Sequence, residues 1–325
     1  MLIPGAHSGK IFLFGILLLL EFPLMAQDSN FRFSIPEIER ILKSGDWQVS
    51  EVSTISRLGS EASYQAKRVT LELSAGKTLR IKWKTAPRAG EDFNNQPRYE
   101  IAAYELQKLF LTPEYYVVPP TLGLTLPVQQ YRQIDRDVLP TFDDTQSVFF
   151  VAQYWLDQVT PEHVFDRARF DSDTTYARHL ANMNILSYLI KHRDSNVGNF
   201  LISTDPKNPR VFAVDNGVAF ESEASARGSA WQRLRVKRLP KETLERLRSI
   251  TPEDLEKSLG VVLQFTGVDG FLIQISPTPN LDKKQGVRRN EGLIQFGLTE
   301  SEIKGVYKRL QKLLKDVDAG KIQLF

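Results

Sequence analysis

The stretch that limits the fold most runs from His192 to Phe220, HRDSNVGNFLISTDPKNPRVFAVDNGVAF. An apolar run, Phe200 to Ile202, is followed by the turn-rich TDPKNPR and then by a second apolar run, Val211 to Val214, closed by Asp215-Asn216-Gly217. Short apolar runs bounded by Asp, Asn, Pro and Gly predict a β-hairpin. Such a hairpin sets Asn199 where its first strand begins and Asp215 where its second ends. Two oxygen donors sixteen positions apart then meet at one edge, a donor chemistry suited to Mg²⁺ shared with phosphate.

The rest of the chain must supply a core around that hairpin. Its 325 residues, 42% apolar and 25% charged, suffice for one two-lobed domain or two small ones. Net charge is +3, from 42 basic against 39 acidic residues, so nothing global calls for nucleic acid. Cysteine is absent, which excludes disulfides and thiolate metal sites and suits a bacterial periplasm better than a disulfide-rich lumen. At the N-terminus Lys10 precedes the apolar run Ile11 to Leu20, and Phe22-Pro23-Leu24-Met25-Ala26 follows. This pattern predicts a signal peptide over residues 1–26, hence an exported protein, periplasmic or secreted. No stretch is long and apolar enough to predict a transmembrane segment after cleavage.

A short helix is expected from Ile35 to Leu42, with Pro36 in its first turn and Gly45 as its stop. From Trp47 the pattern changes to alternating runs, 47–54, 68–73 and 78–84, which predict an antiparallel sheet. In the last run Leu79, Ile81 and Trp83 face one side, and Arg80, Lys82 and Lys84 the other. Either Lys82 or Lys84 is a candidate for binding phosphate. A helix from Arg98 to Phe110 follows, with Glu100 beside its apolar stripe; a glutamate there can orient a strand lysine by ion pairing. Val117 to Thr121 is an extended connector. The apolar strand from Ser147 to Leu156 leads into an expected hinge, where the rings of Tyr154 and Trp155 offer packing for a purine. A helix from Thr174 to Lys191 delivers the chain to His192. Beyond Phe220, Arg233, Arg235, Lys237, Arg238 and Arg246 form a solvated basic face or dock an anionic substrate, and amphipathic helices are expected at 252–258 and 299–317.

His192-Arg193-Asp194 with Asn199 matches the H-R-D-x-x-x-x-N pattern of kinase catalytic loops. The run from Tyr99 to Leu106, followed by Val117-Val-Pro-Pro-Thr121, resembles the secretory-pathway kinases of the Golgi casein kinase and four-jointed group. The run from Asp194 to Ile202, with Val214 to Phe220, is similar to type II phosphatidylinositol 4-kinases. Together the likenesses span about residues 79 to 220. They imply an α+β, bilobal protein-kinase-like fold: a small antiparallel-sheet lobe over 47–153 and a larger, mainly helical lobe over 154–325, preceded by an extension at 27–46.

Carried over by resemblance, Lys84 is the phosphate lysine with Lys82 as the alternative, and Glu100 is its partner. Asp194 is the catalytic base, and Asn199 and Asp215 are metal ligands. The chain lacks a G-x-G-x-x-G loop; within Arg57 to Ser63 only Gly59, with Ser60, is left to cradle phosphate. The implied activity is transfer of the γ-phosphoryl of ATP, with Mg²⁺ or Mn²⁺, to a hydroxyl of a protein Ser/Thr or a carbohydrate. The alternatives are a secreted pseudokinase that binds a nucleotide or a partner, a lipid kinase of the phosphatidylinositol type, and transfer of the nucleotide itself.

Overall fold

A computed structural model describes residues 28–55, 66–92, 95–194, 197–220 and 233–325. The expected signal peptide, together with Gly59 and Ser60, lies outside these residues. Helix α1 (Ile35–Ser44) starts with Pro36 in its first turn and stops at Gly45, whose φ of 71° is the left-handed cap that a glycine adopts without strain. Strands β1 (Trp47–Thr54), β2 (Lys67–Leu73) and β3 (Thr78–Thr85) follow as the alternation predicts. Next come α2 (Pro97–Gln107), β4 (Thr121–Pro127), the one-turn α3 (Val128–Tyr131) and β5 (Ser147–Tyr154). The five strands form one antiparallel sheet in the order β1-β2-β3-β5-β4.

One face of that sheet is apolar because every second side chain is. Val69, Leu71, Leu79, Ile81 and Trp83 are all buried on it. Trp83 stacks on Phe150 at 3.7 Å and donates its indole N–H to the Tyr131 hydroxyl at 2.6 Å, so the largest core ring is fixed at both its face and its polar edge. The other face carries Arg68, Arg80, Lys82 and Lys84, each half-buried.

After β5, β6 (Val159–Thr160), α4 (Arg167–Ser172) and α5 (Thr174–Leu189) lead to the hairpin of β7 (Phe200–Ser203) and β8 (Val211–Ala213). Asp173 caps α5 by accepting from the Tyr176 N–H. The helix is buried on nearly all sides, His179, Asn182 and Asn184 included. Then follow β9 (Arg238–Leu239), α6 (Lys241–Ser249) and α7 (Pro252–Leu259), the last begun by a Thr251/Asp254 capping box.

The expectation of a mainly helical second half fails over the next stretch. Strands β10 (Leu263–Val268), β11 (Phe271–Gln274), β12 (Val287–Asn290) and β13 (Leu293–Phe296) make a second antiparallel sheet, ordered β11-β10-β13-β12. Its tight turns rest on Asp269-Gly270 and Glu291-Gly292, all four residues at positive φ. This sheet packs against the first: Phe149 of β5 meets Phe296 at 4.6 Å and Phe265 at 5.6 Å. At Gly123 of β4 a Cβ would stand 2.4 Å from Leu263, so only glycine lets the two layers close. Helix α8 (Glu300–Asp318) then crosses α7 and α5, and β14 (Gln323–Leu324) pairs in parallel with β9. The described residues thus form an α+β protein with eight α-helices and mostly antiparallel sheets. No helix among them is long and apolar enough to cross a membrane.

Candidate functional site

Alternation along β3 sets Lys82 and Lys84 on the same face, and both reach one carboxylate. Lys84 Nζ lies 3.3 Å from Glu100 Oε1 and 3.3 Å from Asp215 Oδ1. Lys82 Nζ lies 3.3 Å from the same Asp215 oxygen. Three distant pieces of chain therefore converge: a strand, the first turn of α2 and the end of the hairpin. Glu100 is not a surface acid. It is 2% exposed, and its second oxygen accepts the Asn216 backbone N–H at 2.8 Å. Because α2 is enclosed by sheet and helices, every residue from Pro97 to Tyr104 is buried, and the side that looked like a flank of a stripe is interior.

The hairpin end is shaped for this meeting. Asp215 adopts φ 59°, a left-handed conformation that Asp tolerates better than most residues. The Val214 N–H donates to the Asn199 carbonyl at 2.8 Å, tying the two strand ends together. At Gly217 a Cβ would come within 3.1 Å of Lys84 Nζ and 3.3 Å of Glu100 Oε1, so the chain passes close against the ion cluster here and a side chain would press on it.

The loop before the hairpin is strapped from both sides. The His192 N–H donates to Ser187 O at 2.9 Å, Arg193 N–H to Val218 O at 3.0 Å, and Phe220 N–H to Ile190 O at 2.6 Å. The buried Asn199 amide donates to the Asp194 carbonyl at 3.1 Å, and Asp194 itself is half-buried. His192 is wholly buried, its ring 5.1 Å from that of Phe200.

Charges at the site reinforce one another. Burial works against the ammonium of Lys84, but Asp215 and Glu100 outweigh it and hold the proton on more tightly than usual. Burial likewise opposes ionisation of Asp215, yet Lys82 and Lys84 overcome it and keep that carboxyl well below the usual carboxylate range. Burial drives His192 down to about 4, against the pull of Asp194 and Asp215.

Tyr154 does not join the site. It is 3% exposed, its hydroxyl accepts the Arg32 N–H at 3.0 Å, and its ring stacks on Phe31 at 5.2 Å. It is a core residue that anchors the N-terminal segment, so Tyr154, unlike the half-buried Trp155, is removed from the expected packing for a purine. Gly59 and Ser60 lie outside the described residues. Sequence reasoning missed the shared hold of both lysines on Asp215, and it missed Asn216, whose buried side-chain amide finds no bonding partner among the described residues. The Asp-Asn-Gly triplet was visible, but only the fold turns its middle residue inward.

Among the described residues no group of three or more His, Asp or Glu side chains gathers as a metal cage. Asn199 and Asp215 nevertheless offer hard oxygens at adjoining strand ends, beside the unbonded amide of Asn216. That set suits a hard divalent cation completed by phosphate oxygens and water. No family model matches the chain, and no curated protein matches it in sequence.

Proposed function

We propose that this protein is an atypical kinase, with β1–β5 and α2 as its small lobe and the helices from α4 onward as its larger one. It transfers the γ-phosphoryl of ATP to a hydroxyl of a protein Ser/Thr or of a carbohydrate. The observation that carries this reading is the reach of Lys84 to Glu100 and Asp215 at once, on elements that bring Asp194 and Asn199 to the same hairpin edge. Glu100 orients Lys84, whose ammonium meets the donor phosphates. Asp194 orients the acceptor hydroxyl and takes its proton as the new O–P bond forms and ADP leaves with the electrons of the broken one. Asp215 and Asn199 would hold Mg²⁺ or Mn²⁺, which neutralises charge on the phosphates. With a leader expected at residues 1–26, the acceptor would be met outside the cytoplasm.

A second reading, nucleotide or partner binding without turnover, draws on the double occupation of Asp215 Oδ1 by Lys82 and Lys84. One assay separates the two. The protein and its Asp215→Ala variant are given γ-labelled and α-labelled ATP in parallel, with Mn²⁺ or Mg²⁺ and with protein and sugar acceptors. Label from the γ position alone, lost in the variant, is the expected result. Absence of label alongside a thermal shift with ATP selects the binding protein, and absence of both removes the kinase reading.

A further inference from the structure

The face of β3 that bears Lys84 carries more positive charge than the Lys84, Glu100 and Asp215 cluster uses. Arg68 of β2 stands directly opposite Lys82 of β3, and Thr70 opposite Arg80. Side chains directly opposed on one face are about 5 Å apart at Cβ, and like charges placed so destabilise a sheet. Here both are half-buried, so water screens them incompletely.

The counter-charges on this face are largely committed. Asp157 pairs with Arg80 and with Arg32, the latter at 2.9 Å. Asp215 holds Lys82 and Lys84, and Glu100 holds Lys84. Glu51 of β1, exposed, accepts the Thr70 hydroxyl at 3.2 Å. Arg68 donates to the Ser53 hydroxyl at 3.2 Å and lies 5.7 Å from the centre of the Trp155 ring. Among the described residues no carboxylate lies in salt-bridge range of it. The crowding registers at Arg80, whose guanidinium is pushed down by burial and then by the charges of Arg32 and Arg68.

We propose that Arg68 and Lys82 form an anion subsite beside Lys84 that takes a phosphate group, from the polyphosphate chain of the donor or from a phosphorylated acceptor. A phosphate between the two cations turns their repulsion into a bridge. The guanidinium fork, oriented by Ser53 and by Trp155, matches two phosphate oxygens. A phosphate gives both cations an opposite charge and hydrogen bonds that a neutral purine cannot, so the surface favours an anion over a base. The identity of the donor rests on the kinase reading; the subsite itself is read from binding.

The test is calorimetric titration of the metal-free protein with tripolyphosphate, ADP, adenosine and glucose 6-phosphate, repeated with Arg68→Gln. Tripolyphosphate and ADP bind and adenosine does not. Arg68→Gln weakens tripolyphosphate roughly ten- to a hundredfold, while the ligand-free protein keeps a cooperative urea transition. Glucose 6-phosphate binding alongside saturating ADP assigns the subsite to the acceptor; its displacement by ADP, or its failure to bind, assigns it to the donor. Unchanged tripolyphosphate affinity in Arg68→Gln, or binding of neither tripolyphosphate nor ADP, overturns the proposal. Phosphate binding without any phosphoryl transfer would remove the kinase reading alone.

Discussion

Glu302 of α8 grips Arg98 of α2 with both carboxylate oxygens, at 2.7 and 3.0 Å, two residues before Glu100. Arg98 also donates to Glu91 at 2.8 Å and to Gly297 O at 3.2 Å, and the Tyr99 hydroxyl bonds Glu302. Both charged groups are buried. The helix that presents Glu100 to Lys84 is thereby fastened to the last long helix of the chain.

Removing Glu302 leaves the buried Arg98 guanidinium with Glu91 as its one remaining carboxylate, which costs about 3 kcal/mol, the low end for breaking a buried pair. Glu302→Ala is therefore expected to lower unfolding stability by that amount. The paired replacement Arg98→Met with Glu302→Leu should recover most of it. Urea denaturation of the three proteins checks both, and a paired replacement no better than the single one would rule out this account.

Lys84 and Lys82 should separate in kinetics. Lys84 alone joins both acids, so Lys84→Met is expected to cost at least about a hundredfold in turnover. Lys82→Met keeps the Lys84 to Glu100 pair and should show its main effect in the KM for ATP. Initial rates over a range of ATP concentrations distinguish the two, and equal losses of turnover would deny Lys84 its special place.

Acid should weaken the fold in two stages. His192 has an ordinary value of 6.5 and a folded value of about 4, so its neutral form contributes stability that is complete above pH 6.5 and lost as pH falls toward 4. His179, held down to about 3 by burial and then by Arg210 and Arg178, acts with the same sign. Each contributes a slope of up to about 1.4 kcal/mol per pH unit. Asp215 is depressed below its ordinary 3.8, so its contribution persists through that range and disappears only at still lower pH. Urea midpoints taken from pH 7 down to 3 should fall throughout, and His192→Gln should flatten the segment between 6.5 and 4.

Tyr154→Phe should leave the KM for ATP unchanged, since the ring is in the core and its hydroxyl serves only the Arg32 N–H among the described residues. The loss of that one hydrogen bond is expected to reduce stability by about 1 kcal/mol. A several-fold rise in KM would return Tyr154 to the site.

The strands up to Lys84 and the hairpin after Asn199 were legible because their patterns are local: alternation, turn residues and a glycine stop. Lys84, Glu100 and Asp215 could be proposed as a set only through a spacing shared with kinases; nothing local joins them. Tyr154 misled because an aromatic residue at a strand end reads alike whether it packs on a ligand or on Phe31. The second sheet went unread although Asp269-Gly270 is a strong hairpin signal, because β11, β12 and β13 have only four residues each. The Arg98 to Glu302 grip joins side chains 204 positions apart, a pairing no periodicity encodes.

That separation governs how the protein comes into being. Lys84, Glu100, Asp194, Asn199 and Asp215 are all synthesised well before Glu302. Until the last helix emerges, Arg98 has no counter-ion on it and α2 has no anchor there. A transcript truncated after the hairpin would encode every residue of the candidate site and lack the piece that fastens it. The anchor of the candidate site is thus made late: a nascent chain holds the site's residues before it holds Glu302, the side chain that fastens α2.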